Sequence, residues 1–307
     1  MVTRVGALLR EGTERLKASE SESPRLDAEL LLGFVLGVER TSLLAYPEAP
    51  VGDGQVGVYR VLLDRRAAGE PIAYIRGVKE FFGLAFAVDP RVLIPRPDTE
   101  TLVELARDAI RTRLSAAPRP PGTPPFRVWD VATGSGAVPV ALAVTLRRLR
   151  YLEHVMFVMS DLSRDALGVA VENAVAHGVA DRIEAAVGDL FQVEPPPAIP
   201  VDLVTANLPY VPSGVVPTLP AATGFEPLLA LDGGPDGLDL VRRLLDGLPA
   251  ILMPGGQALL EIGHDQGESA PAEARAHLDG WSVAVHRDLA GRPRVLSVGA
   301  PGEPPVR

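Results

Sequence analysis

VWDVATGSGAVPVALA, residues 128–143, decides the fold. A short apolar run leads into Thr133-Gly134-Ser135-Gly136, and apolar residues at helical spacing follow. That order predicts a strand, a glycine turn and the start of a helix. Glycines let a backbone turn tightly and approach a ligand, and the first N–H groups of a helix lack intrahelical partners. A second apolar run, VDLVTANLPY at residues 201–210, ends in Asn207-Leu208-Pro209-Tyr210. The first loop suits a nucleotide-like cofactor, the second a planar amide or amine.

Working outward, strands are expected at Arg127–Val131, Val155–Ser160, Arg182–Val187, Val201–Ala206 and Gln257–Ile262. Helices alternate with them at Val138–Arg150, Arg164–His177, near Leu238–Leu252 and near Ser269–Leu278. Such alternation means a parallel sheet covered on both faces. Trp281–Asp288 and Arg294–Val298 flank Leu289-Ala290-Gly291-Arg292-Pro293 and read as an antiparallel hairpin that finishes the sheet. Gly255-Gly256-Gln257 follows Met253-Pro254 and reads as a turn opening a strand.

Upstream, Val92 to Glu100 carries Pro95 and Pro97, which hold an extended approach to a helix at Thr99–Leu114, with Asp98 or Thr99 as its cap. This stretch is either one wall of a site or a stiff linker. Ala116 to Pro125 is a polyproline-like surface insertion. Residues 1–68 show helical spacing at Val5, Leu8, Leu9, Gly12 and Leu16, and again at Leu26, Leu30, Leu31, Phe34 and Val35, with a third helix from Gln55 to Ala68. Ser23-Pro24 marks a helix start. A module that recognises a protein substrate is preferred there over a plain packing domain. In 69–97 the pieces Ile72–Ile75, Lys79–Phe82 and Leu84–Val88, broken by Gly77 and Gly83, look strand-like. The expected architecture is therefore α/β. A seven-stranded, mostly parallel, Rossmann-like sheet occupies 98–299, a small all-α N-terminal domain 1–68, a β-hairpin connector 69–97 and a tail 300–307.

Bulk properties narrow the function classes. The 307 residues are enough for two domains. A net charge of −9 argues against holding nucleic acid mainly through its phosphates. No run approaches the roughly 18 apolar residues of a membrane helix, and the N-terminus lacks a signal peptide's apolar centre. Zero cysteines exclude disulfides and thiolate metal sites, and histidines 154, 177, 264, 277 and 286 show no metal spacing. A cytoplasmic monomer without metal, membrane or nucleic-acid partner is expected.

Ligands of doubly wound sheets lie at the carboxyl ends of the strands, and each strand here ends in a polar signal. The first gives Ala132, Thr133, Gly134, Ser135 and Gly136, the second Asp161, the third Gly188, Asp189 and Leu190, and the fourth Asn207. Asp161 suits ribose hydroxyls. Asp189 suits the amino group of adenine, with Leu190 and Phe191 packing on the base. Gly136 is followed by Ala137-Val138-Pro139, so the GxGxxG fingerprint is absent, and there is no Walker lysine. S-adenosylmethionine remains, and Asn207 stands where that cofactor meets its substrate. A carboxamide is a poor nucleophile because its lone pair is delocalised, and a site helps by accepting both N–H bonds and aiming the nitrogen. The Asn207 side-chain oxygen and the Leu208 carbonyl are the candidate acceptors. Pro209 keeps Leu208 extended, and Tyr210 can stack over a planar group.

On these residues the chain resembles the bacterial release-factor glutamine methyltransferases. The likeness takes in Arg25 to Leu32, Gly69 to Tyr74, Phe81 to Leu84, Leu93-Ile94-Pro95-Arg96-Pro97-Asp98-Thr99-Glu100, the glycine loop and Asn207–Tyr210. It continues through Glu226-Pro227, Ala230 to Gly234, Gly237-Leu238, Glu261 to Gly263 and Asp288 to Gly291. The resemblance implies N5-methylation, from S-adenosylmethionine, of the glutamine in the Gly-Gly-Gln motif of class 1 peptide chain release factors. The Pro-Arg-Pro stretch is similar to the signature that sets this family apart from ribosomal-protein glutamine methyltransferases. The rivals are those enzymes, a methyltransferase of exocyclic amines in nucleic acids, and a non-catalytic cofactor-binding regulator. Two departures stand out: Leu208 where the family usually has proline, and Ala132 where glycine is common.

Overall fold

The structure is a computed structural model and describes residues 2–19, 21–116 and 122–302. Residues 117–121 of the expected insertion and 303–307 of the expected tail lie outside the described residues. The chain divides into two compact units, Met1–Val78 with Pro220–Glu226, and Lys79–Leu219 with Pro227–Arg307.

The first unit is helical around one small pair of strands. β1 (Thr3–Arg4) leads into α1 (Val5–Ala18), α2 (Pro24–Leu36) and α3 (Arg40–Ala45). β2 (Pro50–Val51), which pairs with β1, precedes α4 (Asp53–Ala67) and α5 (Ile72–Arg76). Helix α3 is too short for periodicity to reveal. The Ile72–Ile75 strand reading is corrected: Pro71 precedes a single helical turn, the Tyr74 and Ile75 N–H groups donate to its carbonyl, and Gly77 at φ +70° stops the helix. The run Arg25–Glu29 is explained by a buried charge network. Asp27 accepts from Arg66 at 2.7 Å and from the Ser21 and Ser23 hydroxyls, and Glu29 accepts from Arg25 and Arg40. Both carboxylates are buried, so removing a partner would strand a charge.

The hairpin β3 (Val78–Phe81) and β4 (Leu84–Ala87) starts at the boundary residue Val78, and α6 (Glu100–Ser115) follows in the second unit. Strands and helices then alternate: β5 (Phe126–Val131), α7 (Ala137–Arg148), β6 (Val155–Asp161), α8 (Arg164–Ala176), β7 (Ile183–Asp189), β8 (Gln192–Glu194) and β9 (Val201–Ala206). The chain closes with α9 (Asp239–Ile251), β10 (Leu252–Glu261), α10 (Ser269–His277), β11 (Ser282–Arg287) and β12 (Pro293–Gly299). The sheet order is β11-β12-β10-β9-β5-β6-β7-β8. It has eight strands, not seven: β8, three residues after a sharp turn, adds an antiparallel edge to β7. β10 starts five residues before the expected Gln257. Gly255 and Gly256 lie inside it, where the pairing with β9 slips between Leu252 and Gln257.

Period-two alternation divides the core. Phe126 and Val128 face α6 and α7, while Trp129 and Val131 face the side carrying α9 and α10. Each fully buried leucine, such as Leu102 or Leu244, contributes about 2 kcal/mol of transfer free energy. From β5 the chain builds outward through β6 and β7, then returns to place β9 on the other side of β5. The order therefore reverses between β5 and β9, which opens a crevice at their carboxyl ends.

Candidate active site

β5 and β9 end in register, Val131 opposite Ala206, so the glycine turn and Asn207 leave the sheet side by side. A cavity of about 620 Å³ lies there. Ala132, Thr133, Gly134 and Ser135 line it, together with Asp161, Asp189, Leu190, Asn207, Leu208 and Pro209. Gly136 and Tyr210, expected at the site, are not among the lining residues. A Cβ on Gly136 would lie 3.0 Å from that of Ala170, so the glycine lets α8 close on the turn. The Tyr210 hydroxyl points to Glu261 Oε1 at 3.5 Å.

The turn is built by Asp161. Its Oδ2 accepts the Gly134 N–H at 2.8 Å and its Oδ1 the Ser163 N–H at 2.9 Å. Burial pushes this carboxyl up, against the backbone N–H bonds it accepts. Gly134 has φ +55°, and nothing lies within 4 Å of where its Cβ would be. A ligand can therefore approach the bare backbone. Ala132 also sits in the left-handed region, φ +56°, at a cost of about 1 kcal/mol that a glycine would avoid. Asp189 pairs with Arg243 at 2.7 Å, both half exposed. Such pairs are worth at most about 1 kcal/mol, so the carboxylate stays available to a ligand. Phe191 is a correction. It packs edge-on against Trp129, with centroids 5.1 Å apart, and closes on Gly247, within the core instead of on a base.

The sequence left one feature open and missed two more. The approach segment does form a wall: Arg91, Val92, Leu93, Pro95, Arg96 and Thr99 line the cavity. Thr99 is the N-cap residue of α6 but makes no side-chain capping bond; its hydroxyl accepts the Asn207 Nδ2–H at 3.2 Å, while Asp98 pairs with Arg294 at 3.0 Å. Asp130, hidden in the apolar run of β5, accepts from the Thr205 hydroxyl at 2.6 Å, and burial pushes its carboxyl up to about 7. An acid inside an otherwise apolar strand was the available signal.

The third feature is the clamp on Asn207–Tyr210. Gln266 Nε2 donates to the carbonyls of Tyr210 and Gly237, each at 3.2 Å, and the Gly233 N–H donates to the Val211 carbonyl at 2.9 Å. A Cβ on Gly233 would lie 2.6 Å from the Pro209 carbonyl oxygen. Gly233→Ala is therefore expected to displace this loop and lower kcat/KM by roughly ten-fold or more, with cofactor affinity little changed. Steady-state kinetics beside calorimetric cofactor titration checks this; a loss confined to cofactor binding would contradict it.

The residues present fit S-adenosylmethionine. The open backbone over Gly134, acidic groups at the ends of β6 and β7 and the cavity volume suit a nucleoside bearing a cationic arm.

Comparison with known proteins agrees. Residues 7–77 match the family model described as the PrmC N-terminal domain. The chain is 42% identical, over 93% of its length and 95% of the relative's, to the release factor glutamine methyltransferase of Moorella thermoacetica. It is 36% identical to the enzyme of the same name from Nitratidesulfovibrio vulgaris, over 94% of this chain and 92% of that one. Among solved structures, the hMettl16 catalytic domain in complex with a MAT2A 3'UTR hairpin aligns with a TM-score of 0.53. It is 14% identical, over 82% of this chain and 84% of that chain, a likeness of fold alone. With relatives this similar over nearly their whole length, the chain belongs to the release factor glutamine methyltransferase family.

Proposed function

We propose that this protein transfers a methyl group from S-adenosylmethionine to the side-chain nitrogen of a glutamine in class 1 peptide chain release factors, within the Gly-Gly-Gln motif. The observation that carries the reading is the shared cavity: Asn207 and the Asp161-braced glycine turn line the same space at the switch point of the sheet. The bound cofactor supplies an electrophilic methyl carbon on a sulfonium. Gly134 and its neighbours hold the donor, with Asp161 accepting from ribose hydroxyls and Asp189 from the base. Asn207 Oδ1 and the Leu208 carbonyl accept the two N–H bonds of the glutamine carboxamide, orient its nitrogen and so lower the entropic barrier. The methyl carbon would pass to that nitrogen as its bond to sulfur breaks, and the surplus amide proton would then leave to solvent. Residues 1–68 are assigned to docking the release factor, 69–97 to the connection and 98–299 to catalysis.

Leu208 is buried and belongs to the core shared with α9, so its side chain anchors the loop where proline would lock φ. Leu208→Pro is expected to raise kcat/KM only about three-fold, a gain of pre-organisation. An unaltered value would remove that role from residue 208.

The deciding experiment incubates the protein with a purified release factor and methyl-labelled S-adenosylmethionine, then maps the labelled peptide by mass spectrometry. Label on the glutamine of Gly-Gly-Gln supports the reading. Label on nucleic acid, on a ribosomal protein alone, or nowhere overturns it.

A further inference from the structure

A carboxamide is nearly symmetric, so Asn207 works as an acceptor only if its oxygen, and not its NH2, faces the cavity. Something must choose between the two orientations. The side chain meets one partner that can choose: Asn207 Nδ2 donates to Thr99 Oγ1 at 3.2 Å. Thr99 is only 4% exposed and sits at the junction of the proline-bounded approach with α6, which fixes its backbone. A hydroxyl carries one proton. Were Thr99 free to donate to Asn207, the flipped amide would serve equally well.

Glu261 removes that freedom. Its carboxylate is 1% exposed, at the end of β10, and Oε2 has no hydrogen-bond partner among the described residues. It is faced by the hydroxyls of Thr99 and Tyr210, by Arg294, and by Asp98, which opposes its charge. A buried carboxylate draws hydroxyl protons toward itself. The Thr99 hydroxyl is among the groups that act on Glu261, and a proton drawn that way leaves the Thr99 oxygen to accept.

We propose that Thr99 is a positioning residue that, polarised by Glu261, sets the orientation of the Asn207 amide so that Oδ1 is presented to the substrate carboxamide. This rests on the methyl-transfer reading above, and gives the Pro-Arg-Pro stretch a task beyond forming a wall. A mis-set Asn207 would offer N–H donors to the substrate's own N–H donors, which repels the reactive pose.

The test uses the full-length protein with a release factor already shown to accept label from the wild type, so failure of the methyl-transfer reading shows first and separately. Assays run at about pH 8, above the value near 7 to which burial pushes the Glu261 carboxyl. Thr99→Val, close in shape but without the hydroxyl, is expected to lower kcat by about 30-fold or more, with cofactor Kd within about two-fold. Thr99→Ser, which restores the hydroxyl, should recover most of that rate. The decisive readout is a double-mutant cycle: the Thr99→Val penalty should largely vanish in an Asn207→Ala background, because no amide remains to be set. Thermal melts establish that each variant folds, and if Thr99→Val is unfolded, Thr99→Ala takes its place in the cycle. A wild-type rate in Thr99→Val, equal losses in the serine and valine variants, or a full penalty persisting without Asn207 would each overturn the proposal.

Discussion

Asn207→Ala is expected to lower kcat by roughly 10²- to 10³-fold while leaving the cofactor Kd within about three-fold of wild type. Asn207 stands where β9 leaves the sheet, at the lip of the cavity, and the glycine turn that would hold the donor hangs from β5 and Asp161. Truncating the amide removes an acceptor that aims the substrate nitrogen, without touching that scaffold. The loop keeps its clamp, since Gln266 and Gly233 donate to the main-chain carbonyls of Tyr210 and Val211. Single-turnover rates at saturating cofactor, beside calorimetric titration, separate the two quantities. A loss under about ten-fold, or one matched by the cofactor Kd, would move Asn207 out of the reacting centre.

Asp161→Ala is expected to show the opposite split. The cofactor Kd should rise by about 100-fold, with kcat at saturation reduced only a few-fold. The Asp161 carboxylate holds the Gly134 and Ser163 N–H groups, and its loss leaves both donors partnerless beside a loosened turn. Asp161→Asn keeps one acceptor oxygen and should lose less. If the alanine variant instead bound cofactor normally and turned over slowly, the donor would sit elsewhere in the cavity. Together the two variants test whether the β5–β6 edge holds the donor and the β9 loop the acceptor.

Elements whose environment repeats along the chain were legible before any coordinates. The strands from β5 to β7 and β9 lie within two residues of their expected bounds, because β5, β6 and β9 are buried almost throughout and read as apolar runs, and β7 follows them in the same alternation. Short or context-made pieces were not. β8 has three residues, α3 has six, and α5 looks like a strand in composition until Pro71 and Gly77 bracket it. The strand-end residues that line the cavity are legible for the same reason: a polar residue closing an apolar run is visible locally. Asp130 was not, because it lies within the run and looks like an interruption of the strand.

By itself, the sequence determined the alternating parallel sheet, the glycine turn, the asparagine loop and the family to which they belong, since each is written in neighbouring residues. Only the tertiary structure decided who stands opposite whom. Thr99 meets Asn207 across 108 positions, Asp130 meets Thr205 across 75, and Gly233 lies beneath the Pro209 carbonyl. Periodicity reports which face of an element is buried, whereas hydrogen-bond partners depend on the register and stacking of several elements at once. The hydrogen bond that holds the Asn207 amide is a property of that assembly.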